Sequence, residues 1–269
     1  MKKKIGMTRR TCLFCGAPGT ADLSDEHIVP RWLLDHLNLP DDDQLLQAVA
    51  DSTTGQLSAA PRVHSTFRFV EGRVCVNCNT GWMSRLESAA KPLLVPLIDN
   101  QRTVTEVTKA ESAILKKWAI KTSYLHSYAS PLKKPVPLDH LQHLLGDSGQ
   151  PATGVSVFVT QAPHVKPSGY FQTGMWPQLA GRITDQDGLT PSGAYKIGLQ
   201  FRSLYLLVAY WPTIKSSMVR VSGLHHRLGE DSDTRDLEYE LNVQIGQGPV
   251  ARLAAFASTL AVLHTTDAV

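Results

Sequence analysis

The sequence predicts an α+β protein in two parts: a small cysteine-centred N-terminal unit and a larger half with a mostly antiparallel sheet. Three observations support this prediction. All four cysteines fall in two Cys-x-x-Cys pairs, Cys12 with Cys15 and Cys75 with Cys78. Apolar residues recur at three- and four-residue steps after residue 79, which indicates an amphipathic helix. From Val155 onward the apolar period falls to two, which indicates strands.

The composition is that of a globular protein. The chain has 269 residues, of which 42% are hydrophobic and 19% charged, so it can bury the core of one or two domains. The net charge of +3 is modest, and any contact with a polyanion must therefore be local. No apolar run follows the lysines at the N-terminus, and the apolar segment 250–263 is too short to span a bilayer. We expect a cytoplasmic protein without a membrane partner.

The first hundred residues contain alternating extended and helical segments. Residues 24–29 are predicted to be extended, because Pro30 disfavours helix geometry in the residue before it. A helix is expected from Pro30 onward. Residues 41–70 have weak periodicity, and this excursion is long enough to hold an inserted hairpin or a loop that contacts substrate. The helix after residue 79 is predicted to end where Pro92 and Pro96 occur.

The remainder of the chain changes in character. Helices are predicted over residues 109–128, 138–145 and 249–264, and strands over 155–159, 195–201, 204–210 and 217–222. We therefore predict a domain over residues 1–100 and a second, α+β accessory domain over residues 101–269.

The two cysteine pairs predict a structural zinc site. Cys12, Cys15, Cys75 and Cys78 supply four thiolates, which complete a tetrahedral Zn²⁺ site and leave no position for a substrate. A thioredoxin-like redox centre needs a single pair, whereas this chain has two. Such a site would hold the segment after the first pair close to the helix that follows the second pair.

Glu26, His27 and Asn79 are the candidate catalytic residues. Phosphodiester hydrolysis needs a base to activate water and a cation to stabilise the crowded phosphorane. A histidine imidazole exchanges protons near neutral pH, which suits His27 to the role of base. Glu26 and the side-chain oxygen of Asn79 are hard ligands for Mg²⁺ or Mn²⁺. Glu87, about two helical turns beyond Asn79, is a candidate third ligand, and a solvent-exposed helix carboxylate is the alternative for it.

The order of these features resembles that of the HNH, or ββα-metal, endonuclease superfamily, and in particular its zinc-stapled subclass. The shared order is a Cys-x-x-Cys pair, the segment Glu26-His27-Ile28-Val29-Pro30, a second pair, an asparagine and a helix. The resemblance covers residues 12 to about 90. It implies an N-terminal ββα-metal domain in which Glu26 and Asn79 bind one divalent ion and His27 is the general base. The third ligand position is often His or Asn in that superfamily, and Glu87 departs from this pattern.

The resemblance predicts an endonuclease that hydrolyses DNA, with Arg31 as a candidate phosphate contact because it is close to His27 in sequence. A zinc-stabilised module that binds nucleic acid or a partner without catalysis is the alternative. The C-terminal domain would supply specificity, a protein partner surface, a regulatory input or a contact between copies of the chain. The sequence does not distinguish DNA from RNA as the substrate.

Overall fold

The computed structural model describes residues 11–18, 22–38, 44–47, 62–65, 70–129, 136–145, 151–161, 169–174, 195–210, 219–221, 226–227 and 261–263.

Two antiparallel strands form the centre of the N-terminal part. Strand β1 (Leu23–His27) is followed by helix α1 (Arg31–Leu37), which begins directly after Pro30 as predicted. A second antiparallel pair, β2 (Gln44–Gln47) with β3 (Arg62–Ser65), confirms an inserted hairpin within the 41–70 excursion. The chain then returns as β4 (Val70–Cys75), which pairs antiparallel with β1.

Helical structure begins at the end of β4. A three-residue turn α2 (Val76–Cys78) leads through a π-helical segment, Asn79–Met83, into helix α3 (Ser84–Ile98). The predicted stop at the prolines is wrong, because Pro92 and Pro96 both lie inside α3. The helix continues through them since its apolar face is buried against the rest of the core. It ends at Ile98, two residues before Asn100, whose φ of 58° is left-handed.

The second half consists of two helices and an antiparallel sheet. Helices α4 (Lys109–Ala129) and α5 (Leu138–His143) correspond to the two predicted over this region. The strands are β5 (Val155–Gln161), β6 (Gly169–Gly174), β7 (Tyr195–Phe201), β8 (Leu204–Tyr210), β9 (Val219–Val221), β10 (His226–Arg227) and β11 (Ala261–Leu263). Five of them form one sheet in the order β10-β5-β8-β7-β6, with antiparallel pairing throughout. The predicted α+β class is confirmed.

The closing helix predicted over residues 249–264 is wrong where the structure describes that segment. Residues 261–263 form β11, which pairs antiparallel with β9. Pairing with a neighbouring strand therefore decides the conformation here, against the local helical periodicity. Residues 249–260 and 264 lie outside the described residues.

Helix α4 joins the two halves of the chain. It packs against α3 and β4 of the N-terminal part and against β5, β7 and β8 of the five-stranded sheet. Its residues 118–127 are buried around the whole helix circumference, as in the central helix of a domain. The predicted boundary near residue 100 thus falls between two helices, α3 and α4, that belong to a single buried core. No helix among the described residues is both long enough and apolar enough to cross a bilayer.

Candidate functional site

The four cysteines form one compact cluster where β4 meets α2. One ligand atom from each lies within 4.8 Å of all the others, and the Cys15 and Cys75 sulfurs are 3.7 Å apart. A tetrahedral zinc site with Zn–S bonds of about 2.3 Å has sulfur–sulfur edges of about 3.8 Å. The sulfur positions therefore fit a Zn²⁺ ion held by Cys12, Cys15, Cys75 and Cys78.

The backbone around the first cysteine pair folds toward the sulfurs. The Gly16 amide donates to the Cys12 carbonyl at 3.0 Å, and Gly16 has a φ of 69°, in the left-handed region that glycine adopts at little cost. The Cys75 amide donates to the Cys12 sulfur at 3.4 Å. The Leu13 amide donates to the Arg73 carbonyl at 2.9 Å, which attaches this turn to β4.

The four cysteine thiols differ in how readily they ionise. Burial acts to raise the pKa of the Cys12 thiol, but backbone amides directed at its sulfur outweigh burial and lower the pKa to about 7. Burial and then the charge of Cys12 raise the pKa of Cys78, and burial raises the pKa of Cys15. One thiolate therefore opposes the formation of the others, and ionisation of all four requires a cation among them.

A β-bulge lies beside the predicted acid–histidine pair. Ser24 pairs with Val74 and Glu26 pairs with Glu71, so two residues of β4 lie opposite the single residue Asp25. A bulge of this kind re-aims the side chains around it. Glu26 is buried with 9% of its surface exposed, whereas the neighbouring His27 is half-buried and therefore reaches solvent. The adjacent acid and base thus lie in different environments.

Asn79 lies against the start of β1. Its Nδ2 donates to the Ser24 Oγ at 3.0 Å, and the Ser24 Oγ donates to the Val74 carbonyl at 3.0 Å. The Asn79 amide donates through its nitrogen here, and its oxygen is an acceptor that could also bind a cation. Ser24 and Glu26 are two residues apart on β1, so this hydrogen bond attaches Asn79 to the strand that contains Glu26.

Glu87 lies in a buried polar cluster with donors from two other helices. The indole N–H groups of Trp32 and Trp118 both donate to its Oε2 at 2.9 Å. The Lys121 ammonium forms a hydrogen-bonded ion pair with its Oε1. Both carboxylate oxygens therefore accept hydrogen bonds from protein donors. Glu87 was predicted to be either a metal ligand or a solvent-exposed helix carboxylate, and neither prediction included these donors.

Lys121 also faces Glu26. Its Nζ is 3.8 Å from the Glu26 Oε1, and the lysine side chain is 0% exposed. Burial raises the pKa of the Glu26 carboxyl; the charge of Lys121 lowers it, and the charge of Glu87 raises it further. Glu26, Lys121 and Glu87 thus form one buried charge cluster, to which the N-terminal strand, helix α4 and helix α3 each contribute one residue.

A neighbouring ion pair occupies the other strand. Glu71, the cross-strand partner of Glu26, accepts two hydrogen bonds from Arg73, at 2.9 and 3.2 Å. The Arg73 guanidinium also lies 5.4 Å from the ring centre of Tyr128 on α4. Arg31, the predicted phosphate contact, is exposed at the first position of α1, four residues after His27.

Within the part of the chain that the structure describes, the four cysteines form the group of His, Cys, Asp or Glu side chains close enough to share an ion. Glu26, His27 and Glu87 do not form a second group of this kind. A divalent ion near Glu26 would accordingly depend on Glu26, the Asn79 oxygen and water. Mg²⁺ is commonly bound in this way, through one or two carboxylates and several waters.

Lys121 and Trp118 were not among the predicted site residues. The sequence nevertheless indicates that both are buried, because they share one apolar helix face. The residues of this face, at four-, three- and four-residue steps along α4, are Ile114, Trp118, Lys121 and Leu125. A lysine within such an apolar stripe is a buried charge that needs a carboxylate partner. The pattern predicts the burial of Lys121 but does not say that its partner is Glu87.

Comparisons of the chain with protein-family models, with curated proteins and with solved structures returned no significant match.

Proposed function

We propose that this chain is a metal-dependent endonuclease of the HNH type that hydrolyses DNA phosphodiester bonds. The observation that carries the proposal is the arrangement of β1, β4 and α3 around the cysteine cluster. An antiparallel strand pair is followed directly by a helix, and Asn79 at the start of the helical segment is hydrogen-bonded to β1 at Ser24. This order of elements supports the proposal, because the resemblance of residues 12–90 to that superfamily implies a ββα domain.

The roles of the side chains follow from their positions. His27, half-buried at the end of β1, takes a proton from the water that attacks phosphorus. The bond from phosphorus to the 3′-oxygen breaks, the leaving 3′-oxygen takes a proton from solvent water, and the products carry a 5′-phosphate and a 3′-hydroxyl. Glu26 and the Asn79 oxygen would hold a Mg²⁺ or Mn²⁺ ion, and such an ion would supply the positive charge that phosphoryl transfer needs. Arg31, exposed four residues after His27, would contact a neighbouring phosphate.

The structural Zn²⁺ has a separate role in this proposal. It would be held by the four cysteines and would fix the start of α3 relative to β1. The closed ligand set leaves the ion no part in the cleavage reaction. Asn79, which directly follows the last cysteine, depends on it for its position.

The test is cleavage of plasmid, single-stranded and branched DNA by the zinc-loaded protein with Mg²⁺ or Mn²⁺. We expect His27→Ala to reduce cleavage by about 100-fold or more, as for loss of a general base. His143→Ala is the control, because His143 is exposed on α5, outside the site. Wild-type protein that cuts none of these substrates would refute the proposal. Full activity in His27→Ala would refute the assignment of the base.

One observation favours the non-catalytic alternative. Lys121 already supplies a protein cation between Glu26 and Glu87, so the acidic cluster is partly neutralised without a metal ion. A zinc-stabilised nucleic-acid-binding module would retain this arrangement. It would bind DNA with an affinity that falls as salt is added, but would cut it with no divalent ion.

A further inference from the structure

The buried lysine has two acidic neighbours and pairs with them unequally. Lys121 Nζ is hydrogen-bonded to the Glu87 Oε1 but remains 3.8 Å from the Glu26 Oε1, beyond hydrogen-bond distance. A fully buried ammonium needs a carboxylate partner, and Glu26 would satisfy it if Glu87 did not. The position of Glu87 therefore decides whether the Lys121 ammonium forms a hydrogen-bonded ion pair with Glu26.

Glu87 is held in place by two tryptophans. The Trp32 and Trp118 indoles both donate to its Oε2, and the lysine takes its Oε1. Trp118 is fully buried and precedes Lys121 by about one helical turn on α4. The Glu87 carboxylate therefore contacts both side chains of α4 at once. This fixed carboxylate is a stronger attachment point for Lys121 than Glu26, which receives no hydrogen bond from it.

We propose, on the basis of the proposed nuclease function, that Glu87 is a positioning residue that retains Lys121 and so keeps Glu26 available for the catalytic divalent ion. The ammonium and the divalent ion carry the same sign of charge and compete for the same carboxylate oxygens. Glu87 acts through Lys121 and is not itself a ligand of the ion. Helix α4 accordingly contributes to the metal site of the N-terminal unit.

Loss of the Glu87 carboxylate should weaken Mn²⁺ binding, and additional loss of the Lys121 ammonium should restore it. Glu87→Gln keeps the shape of the side chain and an acceptor for the indoles but releases the ammonium, which then pairs with Glu26. We expect the Mn²⁺ dissociation constant to rise by about 10- to 100-fold, the range typical when the partner of a ligating group is altered. In the double variant Glu87→Gln/Lys121→Met the competing cation is absent, and we expect Mn²⁺ binding to return to about the wild-type affinity.

The experiment is calorimetric titration of Mn²⁺ into the zinc-loaded full-length protein without DNA, repeated as the Mn²⁺ dependence of cleavage. Glu87→Gln should raise the half-saturating Mn²⁺ concentration and leave kcat at saturation near that of the wild type. Lys121→Met alone should bind Mn²⁺ at least as tightly as the wild type. Glu106→Gln, an exposed glutamate before α4, is the matched control and should change neither quantity.

Each outcome decides between distinct models. If the double variant binds Mn²⁺ as weakly as Glu87→Gln does, Glu87 is a direct ligand and the proposal is wrong. Unchanged Mn²⁺ affinity in Glu87→Gln would also refute it, since the carboxylate would then be structural alone. Zinc content and thermal unfolding show whether each variant is folded, and Lys121→Gln replaces Lys121→Met if the latter does not fold. A wild-type protein that neither binds Mn²⁺ nor cuts DNA refutes the nuclease function and this inference with it.

Discussion

Replacement of Glu87 by leucine should be among the most destabilising single changes available in the chain. The substitution removes the hydrogen-bonded carboxylate partner of Lys121, whose side chain is 0% exposed. It also removes the acceptor of the Trp118 indole, which is likewise fully buried. Trp32 loses the same acceptor but is only half-buried, so water can replace the bond there.

The magnitude follows from these contacts. Breaking a buried ion pair by removing one partner costs about 3–5 kcal/mol. An orphaned buried donor such as the Trp118 indole adds about 1–3 kcal/mol. Glu26 lies 3.8 Å from the Lys121 ammonium and can take it over in part, which offsets some of this cost. We expect a net loss of about 3–5 kcal/mol, or about 6–20 °C in Tm, because each kcal/mol lowers Tm by about 2–4 °C in chains somewhat shorter than this one.

The assay is urea unfolding of the zinc-loaded protein at neutral pH, followed by fluorescence and circular dichroism to test for a single transition. The decisive comparison is Glu87→Leu/Lys121→Met, in which both charges are absent. It should be more stable than Glu87→Leu by about 1–3 kcal/mol, because the orphaned ammonium is removed. A loss below about 1 kcal/mol in Glu87→Leu, or a double variant less stable than the single, would refute the reasoning.

Two further predictions concern zinc and pH. Cys75→Ser should lose bound zinc and have a lower Tm, because the energy of binding structural zinc contributes to folding. Mass spectrometry measures the zinc content, and thermal unfolding measures Tm. A wild-type protein that is stable without zinc would contradict the prediction. Burial, and secondarily the charge of Lys121, lower the pKa of His126 to about 3 from 6.5. The stability that neutral His126 contributes is complete above pH 6.5 and is lost as pH falls toward 3. Urea midpoints from pH 6.5 to 5.5 should therefore fall less steeply in His126→Gln, and equal slopes would contradict this.

Local sequence patterns predicted most of the elements but not how far each extends. The period-two segments became β7 and β8 with the predicted bounds, since strands buried on an antiparallel sheet are set by alternation along the chain. Pro92 and Pro96 were expected to end α3, yet the helix continues past both to Ile98, because its apolar face is buried. Tertiary burial outweighs a local breaking signal there, and periodicity alone does not reveal burial.

The site was predictable to the same partial extent. The spacing of the cysteines was sufficient to predict a four-sulfur cluster, because ligand number and type define a zinc site. The environment of Glu87 was not predictable, because its donors come from α1 and α4, which are distant from it in sequence. The bulge at Asp25 depends on the register between β1 and β4, and the sequence of either strand alone does not specify it.

The contacts of α4 bear on how the protein divides into functional parts. Residues 1–100 were predicted to form a nuclease domain with structural zinc, and the zinc site together with the β1–β4 pair would be its centre. The charge cluster around Glu26, however, takes its cation from Lys121, and Glu87 takes a hydrogen bond from Trp118, both beyond residue 100. A fragment that ends at residue 100 would expose the apolar face of α3 and would leave Glu26 and Glu87 without their cation. The part of the chain beyond residue 100 therefore supplies the cation of a charge cluster whose two carboxylates lie on β1 and α3.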